Sequence, residues 1–254
     1  MNNFKADSLD SGSHFQRIVD DIRKKIRSGS LTEHAALPSE RVIGELFGVS
    51  RMTARRALMA IENEGLAYSS GRKGRFVSPK RLRYDIGGMV SFSATAEAED
   101  IGLTIELIDA GVVQADSELA EKLDVDLGAE LYKYTRLFLI HGHPTFIEVE
   151  YCIAELFPGL LDFDLQQSII LLFDRHYNVS GRTGRIVIRM RPIQEYEANL
   201  LGMASYNAGI ELEQTTFDQD GQPFCFDRQI WRGELAEFTA LAVAIDPTEK
   251  AVQK

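Results

Sequence analysis

The chain has 254 residues, room for two domains, and its 44% hydrophobic and 26% charged residues suit a globular protein rather than a disordered one. No apolar run approaches the roughly 20 residues of a membrane-crossing helix, and the polar start Met1-Asn2-Asn3-Phe4-Lys5 is unlike a signal peptide, so a cytoplasmic location is expected. The net charge of −10 is split along the chain: residues 1–83 carry +7 and residues 84–254 carry −17, which predicts a nucleic-acid module attached to a body that phosphates repel.

In the basic third, Phe15, Ile18, Val19, Ile22 and Ile26 recur at the spacing of a helix buried on one side, over residues 14–28. Leu37-Pro38-Ser39-Glu40 reads as a second helix start with Ser39 as N-cap, and this helix over 40–47 stops at Gly48. Gly48-Val49-Ser50 is a short turn, and Ser50 can cap a third helix over 51–64. Its residues Ala54, Ala57, Leu58 and Ile61 face inward, leaving Arg51, Arg55 and Arg56 on the other arc. Two helices joined by such a turn, the second one cationic, fit a helix-turn-helix with a major-groove reader. Residues 66–69 and 75–78 then form two short strands around Ser70-Gly71-Arg72-Lys73-Gly74, a basic hairpin tip suited to a phosphate or the minor groove.

These strings, Leu37-Pro38-Ser39-Glu40-Arg41, Phe47 through Leu58, Glu64-Gly65-Leu66 and Gly74-Arg75-Phe76-Val77, resemble the DNA-binding domain of the GntR superfamily of transcription regulators. The resemblance implies a winged helix-turn-helix over residues 1–78, with Arg41, Ser50, Arg51, Thr53, Arg55, Gly71 and Gly74 at the operator DNA. Arginine offers bidentate contacts to guanine, and a threonine hydroxyl more often fixes a phosphate. The wing departs from the family pattern, with Arg75 where Gly-Thr-Phe is usual.

Residues 79–90 have the composition of a linker. Beyond it the pattern predicts a helix over 117–123, a hairpin of strands 131–140 and 145–153, a helix over 167–176, a strand over 185–190, a helix over 195–203, and a last hairpin of 211–217 and 224–231 turned at Asp220-Gly221. Hairpins interleaved with helices make an α+β domain, an antiparallel sheet carrying helices. The segments Thr135-Arg136-Leu137, Gly142-His143-Pro144, Leu156 through Leu160 and Asp220-Gly221 through Glu234 are similar to the UTRA-type ligand-sensing domain of the HutC branch, which has a chorismate lyase-like fold.

That resemblance implies effector binding and dimerisation by residues 91–254, with Ser91, Arg136, Glu148, Ser168, Arg189 and Arg228 around a small-molecule effector of acidic character. Phe138 and Cys225 depart from the branch, where a second arginine and an acid are common; the loss of one cation argues against a doubly charged phosphosugar. The implied function is a metabolite-responsive homodimeric repressor. An activator, or a small-molecule lyase with a vestigial DNA-binding arm, is the alternative. No catalytic or cofactor motif occurs, so no enzyme activity and no cofactor are expected. His141-Gly142-His143 falls at a hairpin turn without a third ligand, and Cys152 and Cys225 lack metal-type spacing, so no metal is expected either.

Overall fold

The computed structural model describes residues 7–70, 73–88, 92–93, 101–203 and 207–241, with side chains from His14 onward. Three helices open the chain: α1 Asp7–Arg27, α2 Glu40–Phe47 and α3 Arg51–Asn63. Ile18, Val19 and Ile22 of α1 close over Ile43 of α2 and Ala54, Ala57, Leu58 and Ile61 of α3. The small alanines let α1 and α3 pack closely, and this stripe holds the three helices as one core. Gly48 adopts φ +64°, the left-handed region that lets α2 stop and the chain reverse into Ser50. Strands β1 Ala67–Ser70 and β2 Gly74–Val77 pair antiparallel as the wing.

The segment read as a linker contains a strand. Residues Leu82–Asp85 form β3, which pairs in parallel with β10 Ala236–Thr239 near the end of the described chain. Leu82, Tyr84 and Ile86 alternate inward against Phe92, Trp231 and Phe238, so burial overrides the polar composition.

Six strands form the second domain's sheet, in the order β4-β5-β6-β9-β8-β7: β4 Leu103–Gln114, β5 Glu130–Ile140, β6 His143–Ile153, β7 Thr183–Pro192, β8 Ala208–Phe217 and β9 Pro223–Trp231. Every neighbouring pair is antiparallel. The sequence reading passed over β4, a long edge strand. Helices α4 Ser117–Leu123 and α6 Glu195–Leu201 pack on one face, through Leu119 and Leu123 near Phe226 and through Ala198 and Leu201 near Ile147 and Ile230. On the other face α5 Ile169–Tyr177 lies over Tyr134, Cys152 and Phe224, while Phe92, Tyr84 and Phe238 cover Phe138, Phe146 and Trp231. Between these two apolar patches the strands bear polar side chains.

Candidate functional site

Two surfaces carry the chemistry. On the first domain a groove runs between the N-termini of α2 and α3 and the base of the wing, lined by Ser39, Glu40, Arg41, Arg51, Lys73, Gly74 and Arg75 among others. Ser39 Oγ accepts from Val42 N (3.4 Å), and Ser50 Oγ accepts from Thr53 N (3.2 Å), so each helix begins with a side-chain cap and its positive dipole end faces outward. Arg51 and Arg55 are exposed beside it. Arg55 lies 4.0 Å from Glu40, and Arg41 pairs with Glu45 at 2.7 Å on the surface, a contact that a phosphate can displace at little cost.

Arg75 behaves differently. Its guanidinium turns inward to Glu62 (2.9 Å) and Glu40 (3.3 Å), and Glu62 also accepts from Ser69. The wing arginine therefore braces β2 against α2 and α3. Gly74 precedes it with φ +112°, a conformation open to glycine.

On the second domain the polar band of the sheet lines a cavity. Cross-strand register places Arg136 opposite Glu148, Glu148 opposite Gln229, Glu150 opposite Asp227 and Cys152 opposite Cys225. Residues two apart on a strand share a face, so Arg136, Glu148, Glu150, Asp227 and Gln229 converge, walled by Tyr84, Phe92 and Phe138. All four charged residues are at least nine-tenths buried.

Arg136 Nε donates to Glu148 at 2.9 Å and Nη2 donates to Glu148 and, at 3.4 Å, to Glu150; Nη1 donates to the carbonyls of Leu165 (3.0 Å) and Gln167 (2.9 Å). All five guanidinium N–H groups are thereby engaged. Trp231 Nε1 donates to Gln229 Oε1 (2.8 Å), whose Nε2 donates to Asp227 Oδ1 (2.8 Å). Burial pushes the Glu148 carboxyl up to about 7 against the pull of Arg136, and burial together with Glu148 and Glu150 pushes Asp227 well above the usual carboxylate range. Cys225 Sγ donates to Glu150 (2.6 Å) and lies 3.6 Å from Cys152 Sγ; burial raises both thiols, which disfavours the reactive thiolate form.

The family model for bacterial regulatory proteins of the gntR family matches residues 15–77, and the UTRA domain model matches residues 99–237. The chain belongs to the GntR family. The HTH-type transcriptional repressor NagR of Bacillus subtilis (strain 168) is 29% identical to this regulator over 224 residues, covering 88% of this chain and 92% of that protein. The HTH-type transcriptional repressor PhnF of Mycolicibacterium smegmatis is 30% identical over 205 residues, 80% of this chain and 83% of that one. The crystal structure of PhnF from Mycobacterium smegmatis superposes with a TM-score of 0.64 at 26% identity, over 92% of this chain and 99% of that chain. This GntR regulator thus carries a helix-turn-helix domain, which implies operator DNA, and a UTRA domain, which implies a small-molecule effector.

The structure distributes the expected residues unevenly. Arg41, Arg51 and Gly74 line the first domain's groove, Arg55 lies exposed near its Glu40, and Ser50 and Thr53 start α3 with the Thr53 hydroxyl 3.1 Å from Ser50 Oγ. Gly71 and Ser91 lie outside the described residues. Arg136 and Glu148 meet in the cavity, and Ser168 is buried at its border as the N-cap of α5.

Arg228 and Arg189 do not join them. Arg228 pairs in register with Val149, one residue out of phase with Glu148, so it projects to the opposite face and meets Glu213 (2.9 Å) and Glu118 (2.7 Å). Arg189 sits on that face as well, with Glu211 (3.1 Å) and Glu213 (3.0 Å). The expected acidic effector rested on several cations around one pocket. Among the described residues the cavity holds one, and its donors are committed. Sequence reasoning missed Glu150, Asp227 and Gln229, although alternation from Glu148 and from Cys225 marks them. It also missed the wall formed by Tyr84 and Phe92, which depends on tertiary packing, whereas Lys73, read in the basic hairpin tip, lines the first domain's groove.

Proposed function

We propose that the chain is a homodimeric, cytoplasmic transcriptional repressor without enzymatic activity. Residues 1–78 bind operator DNA, and residues 91–254 bind the effector and dimerise. Its α3 enters the major groove with Arg51 and Arg55 at base edges or phosphates. Arg41, Ser50, Thr53 and the wing around Gly71 and Gly74 fix the register. A twofold dimer then reads a pseudo-palindrome with half-sites about one helical turn apart. Filling the Arg136–Glu148 cavity favours one placement of the two DNA-binding domains, and the operator is released when that placement fits it less well.

The observation that carries this reading is the pair of side-chain-capped helices presenting Arg51 and Arg55 outward. The relatives NagR and PhnF, both named transcriptional repressors, support the sign of regulation. A mobility-shift titration on the chain's own upstream region tests it. Arg51→Ala and Arg55→Ala are each expected to weaken binding by about 5- to 100-fold, the equivalent of ~1–3 kcal/mol per lost base contact, and the wild-type affinity falls steeply with salt. Unchanged affinity in both variants removes α3 from the interface.

A further inference from the structure

The ionisable groups of the cavity are mostly acidic. Three buried carboxylates, Glu148, Glu150 and Asp227, face one guanidinium, leaving a formal charge of −2 before protons are counted. An anionic ligand entering here meets no uncommitted N–H of Arg136; it must pull the guanidinium from Glu148 and Glu150 and leave them buried without their cation.

The walls point the same way. Tyr84, Phe92 and Phe138 line the space, with Tyr84 and Phe92 edge to face at 5.5 Å and Phe92 and Phe138 at 6.2 Å. Aromatic faces attract cations once water is excluded, and Arg136 already uses this wall, its Cζ lying 5.1 Å from the Phe138 ring centroid. Gln214 and Thr216, joined by a 3.2 Å hydrogen bond, add neutral polar groups to the lining.

We propose that the effector is a small organic cation, a molecule bearing a protonated or quaternary amine, held over Glu148, Glu150 and Asp227 and against the rings of Tyr84, Phe92 and Phe138. The proposal rests on the reading of this cavity as the effector site. Burial raises both Glu148 and Asp227, and a cation seated beside them favours their ionised forms, so its binding releases protons and strengthens as pH rises.

The test uses the full-length protein and named probes: choline, putrescine and D-glucosamine as cations, D-glucose as a neutral molecule, and glucose 6-phosphate and glycerol 3-phosphate as anions, each up to about 10 mM. Thermal melting and operator affinity are read in the same samples. At least one cation is expected to raise the melting midpoint saturably and to weaken operator binding tenfold or more. Its affinity should rise about tenfold between pH 6 and 8, as a carboxylate titrating near 7 gives up its proton.

Glu150→Gln and Asp227→Asn, checked for cooperative melting, should each lower the cation's affinity at least tenfold, while Arg228→Ala on the far face leaves it unchanged. Saturable binding of an anionic probe, or no response to any cation by a protein that still binds its operator, overturns the ligand class and spares the regulator. Loss of all salt-sensitive operator binding in the wild type sinks the regulator reading instead.

Discussion

Asp227 is a carboxylate buried in a sheet beside Glu148 and Glu150, and its burial works against folding. Its folded pKa lies above the unfolded one, so the penalty is small near the unfolded value and grows as pH rises toward the folded value. Asp227→Asn keeps the shape and the acceptor for Gln229 and removes the charge. It is expected to raise the melting midpoint at pH 8, by about 2–4 °C for each kcal/mol relieved in a chain of this size, with a smaller gain at pH 5; calorimetric scans at both pH values check this. A site residue that costs stability is the usual sign of a group kept for binding. Ser50 works in the opposite sense. Its Oγ caps α3 through Thr53 N, and Ser50→Ala should cost ~1 kcal/mol in urea denaturation and weaken operator binding by loosening the first turn. Ser50 was legible in the sequence because a cap is a contact within four residues. Alternation along its strand marks the face of Asp227, but its burial was not legible, because that depends on strands and a helix far away in the chain.

Strands and helices obey the same division between local and distant causes. Helix α2 was expected over 40–47 and runs Glu40–Phe47, and α3 was expected over 51–64 and runs Arg51–Asn63, since caps and a glycine stop mark both. Strand β3 escaped the reading because its partner β10 lies more than 150 residues later, and a four-residue strand has little pattern of its own. On β9 the family resemblance suggested Arg228 as a ligand, and the register puts it on the far face: one residue of phase moves a side chain through the sheet. Arg228→Ala should therefore cost no more than ~1 kcal/mol in a half-exposed ion cluster, because Lys122 and Arg189 still serve Glu213. Chemical denaturation measures that cost, and a drop of several kcal/mol would show that the cluster supports the fold more than its exposure implies.

At the scale of the molecule, a small polar cluster joins the two domains. His34 stacks on His143 with centroids 3.7 Å apart, Tyr68 Oη lies 2.8 Å from His34 Nδ1, and Arg232 covers the Tyr68 ring at 4.7 Å while donating to the Ser69 carbonyl (3.2 Å). Burial lowers both histidines from their usual range, helped at His34 by His143, His141 and Arg232 and opposed there by Glu33, and helped at His143 by Arg232, His141 and Lys73. A base whose folded pKa is depressed contributes stability above its unfolded value near 6.5, and loses it as pH falls toward the folded value. The melting advantage of the wild type over the double variant His34→Gln/His143→Gln should accordingly shrink between pH 7.5 and 5.5. Taking the difference between the two proteins removes the opposite slope that Glu148 and Asp227 impose on both. A constant difference would mean that the stacked pair does not titrate in this range.

The sequence by itself determined the regulator's parts: a basic helix-turn-helix with two serine caps, a wing, and an acidic domain of hairpins and helices. Those features come from contacts between near neighbours and from charge counted along the chain. Only the tertiary structure decided which charges share a cavity, that Arg136 spends its donors on Glu148, Glu150 and two carbonyls, and that Arg189 and Arg228 lie beyond the sheet. Strand register and burial are set by partners distant in sequence, so the gathering of three carboxylates around one guanidinium could be read only from the fold.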